Sequence, residues 1–202
     1  AGNQAPSETE IQLKVEKAAG KITSVSEIDA TYTGEPISQP TVKTPSEGQV
    51  TVEYKAKDSD DDTYTTEAPT NAGSYVARIT VAEDDDYEAV TEIKEFEISP
   101  KQVTITVNPA SSTFGQADAE LTYTVDGVLD NTPLNDIAIE RVPGENAGEY
   151  DIIASQKEGS NPNYAITFVK GTYTVKPLDL ADVNVNVSLD KALIMRTAQV
   201  PE

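Results

Sequence analysis

Two runs of carboxylates are the groups in this chain best suited to chemistry: Asp58, Asp60, Asp61 and Asp62 in one, Glu83, Asp84, Asp85 and Asp86 in the other. Calcium takes roughly six to eight hard oxygens, and carboxylates at alternating positions of a curved loop, helped by backbone carbonyls, supply them. The calcium-loop pattern D-x-[DN]-x-[DN]-G is not met, because Asp58-Ser59-Asp60-Asp61-Asp62-Thr63 lacks the glycine and the closing glutamate. Both runs therefore read as solvated acidic hairpin tips. Lys101 and Asn163 stand near an opening and a late strand and are conceivable partners for an amide cross-link. That reaction needs a buried acid beside the pair, and Lys101, next to Pro100, has the character of an exposed junction residue. Glu140 and Glu149 could be imagined as a glycosidase pair. With 35 acidic residues in the chain such pairs arise by chance, and their geometry would have to decide. No residue is assigned a catalytic, cofactor-binding or metal-ligating role.

Composition excludes several kinds of chemistry. Histidine is absent, and with it the common general base near neutral pH and the commonest transition-metal ligand. Cysteine is absent too, which excludes a disulfide, a thiol nucleophile and a thiolate metal site. An enzyme is not expected, nor a cofactor. The formal charge is −20, with only 15 basic residues and no basic patch, so nucleic acid and anionic membrane surfaces are poor partners. Such acidity keeps neighbouring modules soluble and mutually repelling. Residues 1–10 are polar and form neither a signal peptide nor an anchor, and no other segment has the apolar length to span a bilayer. The expectation is a fragment whose export and anchoring segments lie elsewhere.

The elements that must position these residues are strands, and they recur. Asn71-Ala72-Gly73-Ser74-Tyr75 returns as Asn146-Ala147-Gly148-Glu149-Tyr150, 75 residues on, while Tyr87 to Tyr164 and Phe96 to Tyr173 are both 77 apart. After the first tyrosine, Tyr75, Ala77, Ile79 and Val81 alternate with Val76, Arg78 and Thr80, the pattern of a half-buried strand. Tyr150, Ile152 and Ala154 repeat that face. The five-residue unit has the spacing of a tyrosine corner, in which the hydroxyl opening a strand bonds back to upstream backbone in immunoglobulin-like sandwiches. Strands are expected near Ile22–Val25, Thr31–Thr33, Val50–Ala56, Ser74–Val81 and Lys94–Ile98. In the second repeat they are expected near Val103–Val107, Leu121–Val125, Ile137–Arg141, Glu149–Ala154, Tyr164–Val169 and Thr172–Val175. Tyr75 and Tyr150 are taken up by the corners, and Tyr87, Tyr164 and Tyr173 by strand faces, which leaves a weak sugar-stacking platform in a chain without Trp.

The fold expected is all-β: two tandem immunoglobulin-like β-sandwich modules arranged end to end, with partial strands of neighbouring repeats at the ends. Residues 1–17 form a polar segment with a short strand at Ile11, Leu13 and Val15, residues 18–99 the first sandwich, and residues 100–177 the second. Residues 178–202 are the opening of an incomplete third repeat or a tail, with Val183, Val185 and Val187 alternating with Asn184 and Asn186. The junctions at Pro100 and Pro177 lack Gly/Ser linkers, which predicts limited bending between modules.

Phe114-Gly115, Leu121-Thr122-Tyr123-Thr124-Val125-Asp126-Gly127-Val128, the Asn146–Tyr150 unit, Asn163-Tyr164-Ala165-Ile166 and Gly171-Thr172-Tyr173-Thr174-Val175 together resemble the MBG repeats of large bacterial surface proteins. Phe114 stands where that family usually shows Tyr. The first repeat is similar to a more distant bacterial immunoglobulin-like domain through Thr31-Tyr32-Thr33-Gly34-Glu35-Pro36, Ala68-Pro69-Thr70-Asn71-Ala72-Gly73 and Phe96-Glu97-Ile98. The resemblance implies a secreted, extracellular, non-enzymatic module of an adhesin-like bacterial cell-surface or cell-wall protein. Its partners would be neighbouring repeats of the parent protein, with a host glycan or protein as a further one. The function expected is a structural spacer and interaction segment. The alternative is a ligand-binding module for a host glycan or protein, or an adhesin stiffened by calcium.

Overall fold

The computed structural model describes residues 14–179. Ile11, Leu13 and the expected strand at Val183, Val185 and Val187 lie outside the described residues. Val15, the one described member of the first expected strand, is exposed and in no strand.

The described residues are almost wholly β. The first repeat contains β1 (Ser24–Val25), β2 (Ala30–Thr31), β3 (Val42–Lys43), β4 (Val50–Ala56), β5 (Gly73–Val81) and β6 (Val90–Ser99). The second contains β7 (Lys101–Val107), β8 (Ala110–Thr113), β9 (Tyr123–Asp126), β10 (Ile137–Arg141), β11 (Gly148–Gln156), β12 (Tyr164–Val169) and β13 (Gly171–Lys176). Strands β4 and β10 keep the bounds read from their alternation. Strand β6 begins at Val90 rather than near Lys94, because it pairs with β5 along its whole length, Val81 opposite Val90 through Gly73 opposite Ile98. Strands β3 and β8 are not foreseen. They are short and polar, and their pairing comes from the sheets they join.

The sheets have the orders β1-β3, β2-β6-β5-β4, β12-β7-β9 and β10-β11-β13-β8. In both four-stranded sheets the strand that opens on a corner tyrosine pairs antiparallel with the closing strand of its repeat, Tyr75 opposite Phe96 and Tyr150 opposite Tyr173. The closing strand then takes a short parallel partner, β2 on β6 and β8 on β13.

Alternation sends one face of each strand into a core. Ala77, Ile79 and Val81 on β5 are fully buried, as are Ile105 on β7 and Ile152 on β11. Burying one such Ile or Val stabilises the fold by about 1.5–3 kcal/mol. Val76, on the opposite face, is also buried, and stands opposite Lys55 and Glu95 on the neighbouring strands, the Lys55 side chain being only 11% exposed.

Contacts divide the described chain into two compact units. One comprises residues 14–105, 125–137 and 156–167, with a core of Ile28, Tyr32, Val52, Tyr54, Ala77, Ile79, Phe96, Ile98, Val103 and Tyr164. The other comprises residues 106–124, 138–155 and 168–179, centred on Val107, Ile152, Tyr173 and Val175. The spatial division thus runs through the second sequence repeat, whose segments 125–137 and 156–167 pack with the whole first repeat.

Candidate functional site

The corner is built alike in both repeats. The Tyr75 hydroxyl donates to the Asn71 carbonyl at 2.9 Å, and the Tyr150 hydroxyl donates to the Asn146 carbonyl at 2.8 Å. Gly73 and Gly148 open the strands with matching φ angles of 155° and 159°. Each corner ring rests on an aromatic neighbour or a cation. Tyr75 stacks on Phe96 with centroids 5.6 Å apart, whereas Tyr150 lies beneath the Arg141 guanidinium at 5.3 Å. Arg141 also covers Tyr173, donates to Asp118 at 2.8 Å and to the Gly144 carbonyl at 2.6 Å, and is only 10% exposed. Gly144 lies so close under the Tyr150 ring that a Cβ would sit 1.9 Å from a ring carbon, so no larger residue fits there unless the ring moves.

In the first unit the corner has a further partner. The Asn163 side chain accepts from the Ala72 amide at 2.8 Å and donates to Asn71 Oδ1 at 3.0 Å, clasping the corner at two points. Next to it, Tyr164 sets its ring edge-on to Tyr32 at 5.6 Å and 90°. The Tyr164 hydroxyl holds the 129–132 turn by accepting from the Leu129 amide and donating to the Thr132 carbonyl at 2.9 Å. Asn161, 7% exposed, accepts from the Asn135 amide and donates to the Asn135 carbonyl and Gln156 Oε1. A cleft of about 390 Å³ opens beside these residues. The Asn161 and Asn163 side chains that line it are already committed to structural bonds. Sequence reasoning does not single out Asn161; its only signal is the Asn-Pro-Asn turn around it.

The expected chemical residues are placed as follows. Asn163 meets Lys101 through backbone alone, Lys101 N–H to the Asn163 carbonyl at 3.0 Å, and the Asn163 amide that a cross-link would consume is held by Asn71 and Ala72. Glu140 and Glu149 are exposed on adjacent strands β10 and β11. In the first acidic run a short 3-10 turn, Asp61–Thr63, brings Asp61 to Lys55 at 2.8 Å. The hydrogen bond from Lys55, then its charge, holds the Asp61 carboxyl below its ordinary range. In the second run Asp84 is a structural anion. It accepts from the Ser46 hydroxyl and Glu47 amide on one oxygen, both at 2.7 Å, and from the Asp86 and Tyr87 amides on the other. These bonds, the Ser46 hydroxyl foremost, depress its pKa far below the usual carboxylate range. Among the described residues no three or more acidic side chains gather in a metal-binding group.

Strand order, paired corners and alternating cores define an almost wholly β protein whose two four-stranded sheets share one pairing pattern. Residues 103–174 match the family described as "MBG domain (YGX type)", so the resemblance read from Phe114-Gly115, the second corner and the closing strand holds for that stretch. Among solved structures the chain is similar to the fibronectin(III)-like modules of Clostridium thermocellum CbhA, at 15% identity over 83% of this chain and 100% of that chain, with a TM-score of 0.30. No curated protein matches the chain. No helix among the described residues is long and apolar enough to cross a membrane.

Proposed function

We propose that this chain is a non-catalytic spacer and interaction segment of a bacterial cell-surface, adhesin-like protein. Its repeats would be joined end to end and coupled to neighbouring repeats of the parent. The observation that supports this reading most is the Asn163 clasp on Asn71 and Ala72, which spends a loop of the second repeat on gripping the first. A flexible linker makes no such bonds. The commitment of Asp61 to Lys55 and of Asp84 to the 46–47 and 86–87 backbone turns favours a stalk that works without calcium over one stiffened by it.

Small-angle scattering on the chain, with calcium and then with a chelator, tests this. The expected result is an elongated particle of the same length in both conditions. A compact particle overturns the spacer reading, and a calcium-dependent length restores the acidic loops as ligands.

A further inference from the structure

The two four-stranded sheets have corresponding strand orders, β2-β6-β5-β4 and β8-β13-β11-β10, and the registers of their closing strands coincide. Thr31 lies opposite Ser99 while Gly73 lies opposite Ile98. In the second sheet Thr113 lies opposite Lys176 while Gly148 lies opposite Val175. The next residue along the short parallel strand then donates its amide to the same closing position, Tyr32 to the Ser99 carbonyl at 2.9 Å and Phe114 to the Lys176 carbonyl at 2.8 Å. Tyr32 and Phe114 therefore occupy one structural position. A left-handed glycine lies just beyond each, Gly34 two residues after Tyr32 at φ 82° and Gly115 directly after Phe114 at φ 79°.

In the first repeat this aromatic, glycine and corner are all covered. Tyr32 is 4% exposed under the edge of Tyr164, the Leu129 methyl reaches to within 3.2 Å of a Cβ built on Gly34, and Asn163 clasps Asn71 and Ala72. In the second repeat the corresponding aromatic and corner, and the glycine beside that aromatic, are uncovered among the described residues. Phe114 is 44% exposed, and among the described residues nothing comes within 4 Å of a Cβ built on Gly115. Ala147 is exposed, and neither its amide nor the Asn146 side chain has a partner among those residues.

We propose that Phe114, Gly115 and Asn146–Ala147 form a socket for a further repeat of this type, whose Asn-Tyr loop would dock there as Asn163-Tyr164 docks on Tyr32 and Asn71–Ala72. The occupant is a following repeat rather than a second copy of this chain, because the Asn163-Tyr164 loop of every copy is already seated on its own first repeat. Phenylalanine serves in place of Tyr32 because an edge-to-face contact uses only the ring. The socket rests on the reading of the chain as a segment of repeats, and the two fail separately. A compact particle in scattering would sink the spacer and leave the socket standing.

Amide hydrogen exchange followed by NMR tests the socket. In the full chain Ala72 should exchange at least about tenfold more slowly than Ala147, and Asn163→Ala should bring Ala72 to within a few-fold of Ala147. In the same chain extended after Pro177 by a second copy of residues 101–177, Ala147 should slow by at least about tenfold. Replacing the asparagine equivalent to Asn163 in the added copy by alanine should reverse that. An Ala147 amide already as slow as Ala72 in the full chain overturns the proposal. So does an unchanged Ala147 beside an added repeat whose own corner tyrosine shows native shifts. If the added copy does not fold, the Asn163→Ala comparison decides: Ala72 staying protected refutes the equivalence of the two sites, and its release upholds it.

Discussion

Three tyrosines in the described chain should answer the same substitution, Tyr→Phe, with opposite signs. Tyr54 is 1% exposed at the centre of the first core, edge-on to Phe96 at 6.0 Å, and its hydroxyl is a buried polar atom with no hydrogen-bond partner among the described residues. Burial alone pushes its pKa up. An unsatisfied buried hydroxyl costs roughly 1–3 kcal/mol. Removing its oxygen leaves a void of about one atom, worth roughly 0.3 kcal/mol at about 24 cal/mol per Å³. Tyr54→Phe should therefore stabilise the fold by about 1 kcal/mol. At Tyr75 and Tyr150 the hydroxyl makes a bond of 2.9 and 2.8 Å to the Asn71 and Asn146 carbonyls. Those carbonyls lie near solvent and can rehydrate, so Tyr75→Phe and Tyr150→Phe should each cost about 0.5–1 kcal/mol. Urea denaturation followed by circular dichroism reads all three on one scale. A loss of more than about 1 kcal/mol for Tyr54→Phe would refute the reasoning, because it would mean that the hydroxyl has a partner worth keeping.

Two further outcomes follow from the charges. Asp84 has a depressed pKa in the folded state, so its stabilising contribution is fully present above the ordinary carboxylate pKa and is lost as pH falls through the depressed value. Asp84→Asn should lower thermal stability at pH 7 and flatten the loss of stability below about pH 4, as read in melting curves taken across the acid range. An unchanged acid profile would remove Asp84 as the anchor of the 46–48 loop. Arg141→Met should cost about 2–3 kcal/mol, because the nearly buried guanidinium serves Asp118, the Gly144 carbonyl and the Tyr150 and Tyr173 rings. Lys170→Met removes an exposed pair with Asp151 and should cost under about 0.5 kcal/mol. Equal costs for the two in denaturant would refute the ranking.

Much of the architecture is legible in the sequence because it rests on short-range rules. Alternation at period two marks β4, β5 and β10, and the Asn-Ala-Gly-x-Tyr unit, read at one spacing, locates both hydroxyl-to-carbonyl bonds. The absence of His and Cys narrows the chemistry before any geometry is known. What depends on partners distant in sequence cannot be read in that way. Strands β3 and β8 carry no apolar run and exist because β1 and β13 offer edges to pair with. Asp84 reads as one acid in a solvated run, yet Ser46 and Glu47, nearly forty residues earlier, make it the anchor of a loop. Asn163 reads as a conceivable cross-link partner of Lys101, and its amide instead closes on a corner 91 residues away.

The chain's periodicity and turn residues thus determined the longer strands and the corners, since each depends on residues within a few positions of one another. Tertiary structure alone decided which carboxylates carry structure, which asparagine grips which corner, and that among the described residues the aromatic and corner of the first repeat are covered while those of the second are not. Those outcomes depend on which surfaces meet, and hydrogen-bond partners brought together by chain reversal leave no mark at either position in the sequence.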